Sequence, residues 1–355
     1  YNTVPLILNY TQPIRAYNAL KWRKKTAPLQ YENAQRAYLE TMQDITINVT
    51  NLFFTVLSAQ ENYRQSLADY EDRKHLFEIA KKRLDLGTTT KSEVLQMELS
   101  LLNAKMSVNS TGLTLRTQLF SLFSYLRIVD YEDVELLPPY YMPEIEMNAE
   151  QVLDKAWTGS SHSIEQQLNL LESQRALAEA KANRGLQVEF RGRIGLSQSA
   201  NELPAAYRRL KDYETVGLTM TIPIYDWGMG RGKVRMAKTD VEITKTQIEQ
   251  ANIEFAHDVR TKVLQFNNQA EQCKTSLRAQ DIAAERYDIM KKRFENGSVT
   301  VTELNTAQEE FESAQHQYIS QLQQFWTDYY GIQKLTLYDF IRKENIGVNF
   351  NDLVN

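Results

Sequence analysis

Helix breakers are scarce in this chain. Its 355 residues include 8 prolines and 13 glycines, and none of either falls between Leu29 and Leu86 or between Lys233 and Asn296. Uninterrupted stretches of about 60 residues are several times the usual helix length, which excludes an ordinary globular α/β enzyme domain and predicts very long helices. Long apolar runs are missing too: the mean hydropathy is −0.49, so no transmembrane helix is expected, and insertion into a bilayer would have to use strands. Cys273 is the only cysteine, so no internal disulfide can form. Charge of one sign is not in excess, with 41 basic against 45 acidic side chains, and nothing general in that balance favours a nucleic-acid partner. Tyr1 to Leu8 carries neither the charged nor the long apolar region of a signal peptide.

What is present is a repeat. Lys81-Lys82-Arg83-Leu84-Asp85-Leu86-Gly87 returns as Lys291-Lys292-Arg293-Phe294-Glu295-Asn296-Gly297, 210 residues later. The same offset of 210 relates Pro13 to Pro223, Lys21 to Arg231, Val49 to Val259, Thr90 to Thr300, Glu93 to Glu303 and Ala104 to Ala314. Constant spacing over so long a stretch identifies two copies of one unit. The organisation expected is a first repeat at 1–128, a connector at 129–149, a second repeat at 150–338 and a tail at 339–355. An equal first copy would also place a counterpart of 150–212 ahead of Tyr1.

Each copy opens with period-two alternation. Leu6, Leu8 and Tyr10 oppose Asn9 and Thr11; Leu218, Met220 and Ile222 oppose Thr219 and Thr221. A third segment, 187–198, sets Val188, Phe190, Ile194 and Leu196 against Glu189, Arg191, Arg193 and Ser197. Such segments are what a membrane β-barrel needs, with lipid on one face and water on the other; the alternative is an edge hairpin on a soluble core. Pro13 and Pro223 mark the expected strand ends, because proline cannot donate to a ladder.

A long helix follows each strand. In the first, Met42, Val49, Val56, Tyr63, Tyr70, Phe77 and Leu84 recur every seven residues, with Tyr38, Ile45, Leu52 and Ala59 beside them. In the second, Val259, Val263, Phe266, Ala270, Cys273, Leu277, Ala284 and Tyr287 form a rougher seam, which makes Cys273 a packed core thiol. The helices are expected to turn at Gly87 and Gly297 and to return over about 90–128 and 300–338. A further helix at 150–184 would complete the first return track.

Gly87-Thr88-Thr89-Thr90 and Gly297-Ser298-Val299-Thr300 read as turns, each glycine ending one helix and each threonine capping the next. Thr90-x-x-Glu93 and Thr300-x-x-Glu303 are capping boxes. The glutamates are therefore either purely structural or, where several copies meet, a ring around an opening; three copies of Glu303 would raise one another's pKa. Gly228-x-Gly230-x-Gly232-Lys233 resembles a phosphate loop, but a helix, and no second parallel strand, follows it. Lys21, Arg23 and Lys25 near Tyr17 and Trp22, and Arg231, Lys233 and Arg235 near Tyr225 and Trp227, fit a headgroup belt or a solvated helix start. The four histidines, 75, 162, 257 and 316, share no metal-ligand spacing, and no arrangement supports a catalytic, cofactor or metal role.

Strand pairs leading into long helices, a tandem repeat, and Arg-x-x-x-Gly turns followed by hydroxyls and an acid together resemble the TolC-like outer membrane efflux protein family. Lys82 to Leu95 and Arg293 to Leu304 resemble its helical tips, and Val216 to Ile224 its barrel-exit strand. The resemblance covers essentially the whole chain. It implies an α+β membrane protein in the bacterial outer membrane, most of it periplasmic: a homotrimer with one twelve-stranded β-barrel and an α-barrel of antiparallel helical hairpins. The function implied is a passive exit duct docked by a periplasmic adaptor (membrane fusion) protein and an inner-membrane transporter, with no enzymatic activity, cofactor or nucleic acid. By position, Leu86, Gly87, Thr88, Asn296, Gly297 and Ser298 match the adaptor-docking tips, and Glu303, with Glu93, a pore constriction. Pro13 and Pro223 match barrel-to-helix junctions. Thr306 and Phe294 stand where some members carry a second acid and a gating tyrosine. The competing reading is a soluble coiled-coil scaffold without a lumen.

Overall fold

The computed structural model of the chain describes residues 2–129, 134–139, 142–199, 201, 204, 207, 210–296 and 298–350. In chain order the elements are β1 (Asn2–Arg15), α1 (Ala19–Asp85), α2 (Lys91–Leu126), α3 (Ala149–Gly159), α4 (His162–Arg184), β2 (Gln187–Ser199), β3 (Lys211–Thr221), α5 (Met229–Glu295), α6 (Val301–Thr336), β4 (Tyr338–Asp339) and β5 (Glu344–Asn345). The repeat survives in the backbone. Helices α1 and α5 have 67 residues each and α2 and α6 have 36 each, both pairs starting 210 residues apart. Even the C-caps match: Arg127 and Leu337 both sit in the left-handed region, at φ 56° and 47°.

Two compact units form. One comprises Tyr1–Ala37 and Ser161–Ala256, the other Tyr38–Ser160 and His257–Asn355. The first holds the sheet β1-β2-β3, antiparallel throughout, with β2 central. α1 begins in this unit and carries Pro28 inside it, where the missing N–H removes the bond to the Lys24 carbonyl. No helix among the described residues is long and apolar enough to cross a membrane.

The second unit is built from helical hairpins α1/α2 and α5/α6. Its core joins Phe54 and Leu57 of α1 to Cys273 of α5 and Ile319 and Leu322 of α6. Cys273 is buried as its place in the seam requires, and burial pushes its thiol up to about 11. The first-helix seam is corrected in part. Val56 and Ala59 are buried, but Tyr38, Met42 and Ile45 are exposed, and Leu277 is exposed in the second seam. The heptad pattern marks all apolar contact faces, whether this chain fills them or not.

The expected helix at 150–184 is in fact two. Helix α3 ends at Gly159 because Ser160 is extended, with φ −70° and ψ 163°, and donates its hydroxyl to the Ala156 carbonyl. Gly159 presses on α6 so closely that a Cβ there would lie 2.0 Å from the Thr336 carbonyl oxygen. The described part of the connector is irregular but pinned. Gln60 exchanges two hydrogen bonds with the Leu136 backbone, each 2.9 Å, and Asn267 exchanges two with Met147, each 3.0 Å.

Candidate channel tip and membrane sheet

Register decides what the sheet can face. Leu6 pairs with Leu196 and Leu8 with Ile194, while Phe190 pairs with Leu218 and Val188 with Met220. Directly opposed residues share a face, so these form one apolar surface. Asn9, Arg193 and Thr215 cross the opposite face, as do Thr11 and Arg191, and Glu189 and Thr219. The alternation expected from sequence is thus registered across all three strands. Leu8, Ile194, Leu218 and Met220 keep 54–68% of their surface exposed, while Val188, Phe190 and Leu196 are half-buried, so among the described residues nothing covers most of the apolar face. From Val188 to Leu196 the band runs about 26 Å along the strand, which at the usual barrel tilt of about 35–45° gives about 20 Å of height, most of the apolar band of an outer-membrane barrel, about 25 Å.

Three details differ from expectation. β1 continues through Pro13 to Arg15, with a register shift between those residues, so Pro13 sits where the ladder is interrupted and does not end the strand. β3 stops at Thr221, which leaves Ile222 outside the ladder. Asp212 and Glu214 fall on the apolar face, opposite Leu196 and Ile194, at the end of the sheet nearest the 200–210 segment. Acids at that end are compatible with a membrane surface, where a charge on the lipid face costs about 0–1 kcal/mol.

Below the strands, Tyr17 and Trp22 are half-buried, Lys25 lies 4.9 Å from the Trp22 ring centre, and Tyr225 and Trp227 are exposed and in edge contact at 4.6 Å. The glycine cluster proves to be a helix start. Asp226 accepts from the N–H groups of Gly228 and Gly230 at 3.0 and 2.8 Å, which holds its carboxyl below the usual range. A Cβ on Gly230 would lie 2.6 Å from that carboxylate and 3.1 Å from Arg184. The chain's own acid therefore occupies the N–H groups that a phosphate would need.

At the first tip Gly87 takes φ 70°, Thr88 N–H donates to the Arg83 carbonyl at 2.9 Å, and Leu86 projects into solvent. The second tip repeats the bond from Ser298 N–H to Arg293 at 2.9 Å, after Asn296; Gly297 lies outside the described residues. Both capping boxes form. Glu93 N–H donates to Thr90 at 3.2 Å and Glu303 N–H to Thr300 at 3.3 Å, while the carboxylates accept from the Thr90 and Thr300 N–H groups at 3.4 and 2.7 Å. Glu93 also accepts from Thr89. These bonds hold both carboxyls below the usual range, led by the Thr89 hydroxyl for Glu93 and by the Thr300 N–H for Glu303. That shift is opposite in sign to the elevation expected of a glutamate ring, because within the chain capping is the dominant interaction.

Sequence reading missed a contact between the hairpins near the tip. Lys291 of α5 pairs with Asp72 of α1 at 2.8 Å, and Tyr287 donates to the same carboxylate at 3.2 Å. Burial and the Asp72 charge push the Tyr287 phenol up. Asp69 beside it is held by Arg73 at 2.9 Å and by Gln308 of α6 at 2.8 Å, and Arg73 reaches Ser100 at 2.6 Å. Phe294 and His75 line the small cavity these groups enclose. The signal was a departure from the repeat on one side only: Asp72 answers to Ile282, whereas Lys291 answers to an identical Lys81.

Known proteins fall in line with this geometry. No curated protein matches the chain by sequence. Among solved structures, the CmeC outer membrane channel of Campylobacter jejuni superposes with a TM-score of 0.74 at 14% identity, covering 98% of this chain and 72% of that one. VceC of Vibrio cholerae gives 0.67 at 14%, over 93% and 78%. The open state of the MtrE channel of Neisseria gonorrhoeae gives 0.70 at 12%, over 95% and 80%. The outer membrane efflux protein model matches residues 1–126 and 159–336. With both repeats spanned by that model, the chain belongs to the outer membrane efflux protein family.

Proposed function

We propose that the chain works as the outer-membrane exit duct of a tripartite efflux or secretion system, a passive conduit of three copies with the sheet in the bilayer and the helical hairpins in the periplasm. The observation that carries this is the bare apolar face of β1-β2-β3. A soluble scaffold would bury that face against its own core. Lipid covers it without any partner, while the charged face meets water in a lumen. A three-stranded sheet also leaves the outer edges of β1 and β3 without strand partners among the described residues, and open edges are not viable in lipid, so further strands must close the barrel.

In this reading Tyr17, Trp22, Tyr225 and Trp227 sit at headgroup level, and Pro13 and Pro223 lie where strands pass into helices. The repeats 1–128 and 150–338 supply one hairpin each, with 129–149 as the connector and 339–355 as the tail. Leu86, Gly87 and Thr88, with Asn296, Gly297 and Ser298, meet a periplasmic adaptor, which couples the duct to an inner-membrane transporter. Glu303 and Glu93 line the narrow end. Outer-membrane fractionation and the mass of the particle in mild detergent test the reading. A three-chain particle that conducts ions in a planar bilayer is expected; a single-chain mass, soluble without detergent, would return the chain to the scaffold reading.

A further inference from the structure

The two helices that start at the sheet carry the opposite charge from the helices that start elsewhere. α2, α3, α4 and α6 each set an acid in the first turn, Glu93, Glu150, Glu165 and Glu303, as the helix dipole favours. α1 and α5 have no acid there and carry Lys21 and Arg231 instead. More cations follow: Arg23, Lys24 and Lys25 come before Glu32, the first acid of α1, and Lys233, Arg235 and Lys238 before Asp240, the first of α5. Lys21 with Lys24 and Lys25, and Arg235 with Arg231 and Lys238, stand three or four residues apart, where like charges repel. Nothing within either helix favours this pattern.

The sheet gathers these cations at one level. Arg15 at the end of β1 pairs with Val188, and Gln187 at the start of β2 pairs with Thr221 at the end of β3, so α1, α4 and α5 all adjoin the same end of the sheet. α4 arrives there with Lys181 and Arg184, and Arg184 lies against Gly230 of α5. All ten cations are exposed, and none is in an ion pair among the described residues. The acids nearby are occupied or set back. Asp226, near Arg184, accepts from the Gly228 and Gly230 N–H groups, Glu189 is paired with Arg191 at 2.9 Å and Glu32 with Arg36 at 2.6 Å, and Glu179 precedes Arg184 by more than a turn. The apolar face of the sheet reaches this level at Val188 and Met220, so lipid lying on that face brings its headgroups to the cations. Arg231 to Lys238 spans about 10 Å of helix, the depth of one headgroup layer plus the reach of a snorkelling stem.

We infer that the helix ends below the sheet take anionic phospholipid, whose headgroup carries net negative charge, in preference to zwitterionic lipid, with Lys21, Lys24, Arg231 and Arg235 donating to its phosphate. A zwitterionic headgroup brings a cation of its own, which this collar repels. An anionic one neutralises the collar, and each arginine fork can take two phosphate oxygens at once. The inference rests on the reading of the sheet as a membrane sheet and adds the class of lipid that surrounds it.

Brominated lipids quench tryptophan on contact, which makes Trp22, 4.9 Å from Lys25, and Trp227, four residues before Arg231, reporters of the lipid at this level. Trp157 and Trp326 lie in the other unit and add the same background with either lipid. The full-length protein is reconstituted into phosphatidylcholine vesicles in which a minority of the lipid is brominated, as phosphatidylglycerol in one set and as phosphatidylcholine in the other. At low salt, quenching by the phosphatidylglycerol is expected to report a local excess over its bulk share of about fivefold or more, the factor that one basic residue near an anionic surface supplies. High salt should shrink the excess, and Lys21→Gln, Lys24→Gln, Arg231→Gln and Arg235→Gln together should bring it close to one while quenching by brominated phosphatidylcholine persists. Exchanging chloride for inorganic phosphate at equal ionic strength should leave the excess unchanged; its loss would mean that the cations take any phosphate and would overturn a lipid site. Equal quenching by the two lipids would overturn the inference and leave the sheet in the bilayer. Quenching by neither would overturn both.

Discussion

Replacing Lys291 with methionine removes the cation from the contact that ties hairpin α5/α6 to hairpin α1/α2 near the tip. A ring of hairpins widens at that end only if neighbouring hairpins separate, so this contact opposes opening. Its strength follows from its exposure. Lys291 and Asp72 keep 42% and 34% of their side-chain surface in solvent, so screening limits the pair to about 0.5–1 kcal/mol. The Tyr287 bond to Asp72 persists in the variant. If three copies open together, the loss is about 1.5–3 kcal/mol, and the open fraction rises about tenfold to a hundredfold. Single-channel recordings in planar bilayers read that fraction directly. Raising the salt should open the unmodified channel and leave Lys291→Met nearly unmoved, because the screened attraction is already gone. Asp72→Lys combined with Lys291→Asp should restore the closed fraction. An open fraction within twofold of the unmodified protein, unresponsive to salt, would refute the clamp.

Phe190→Arg places a charge on the apolar face opposite Leu218 and should cost about 2–4 kcal/mol near the bilayer midplane, measured as a lower urea midpoint of the detergent-folded barrel; Thr219→Arg on the other face should change little. Glu303→Gln keeps an oxygen for the Thr300 N–H, so stability should hold while cation preference falls, with Glu93→Gln as the matched control. Because capping lowers the Glu303 pKa, its contribution to the first turn of α6 is complete above the ordinary value of 4.5 and lost as pH falls through the lowered one; amide protection at Glu303 should decline only in that acidic range. Gly159→Ala drives a methyl onto the Thr336 carbonyl oxygen, which only backbone movement can relieve, so calorimetry should show a loss of at least about 1–3 kcal/mol.

Periodicity and repetition made most of the fold legible. The 210-residue offset fixed the tips and the return helices to within two residues, because both copies obey the same helix-ending chemistry at Gly87 and Thr90, Ser298 and Thr300; the long helices start earlier than their breaker-free stretches, at Ala19 and Met229. The break at Ser160 was not legible. Gly159-Ser160-Ser161 can continue a helix, and the glycine that the close approach to Thr336 requires, 177 residues away in sequence, sits at the point where Ser160 turns extended. Pro13 misled because a strand can run past a proline where its ladder is already irregular, and the register of β1 shifts between Pro13 and Arg15. The Asp72–Lys291 pair escaped because it exists only where the repeats differ.

Those differences carry the information that sequence similarity between the copies conceals. If the two repeats were identical, α2 could lie on α1 as readily as α6 does. Unlike chemistry removes the ambiguity. Gln323 at the seam within the chain answers to Leu113 on the outer flank, and Asp69 to Ala279, so each wrong pairing buries an amide or a carboxylate against an apolar side chain at about 1–3 kcal/mol per group. The polar seam tolerates water while a single chain folds. The apolar stripe of α2 is unsuited to that polar seam and stays exposed on the single chain.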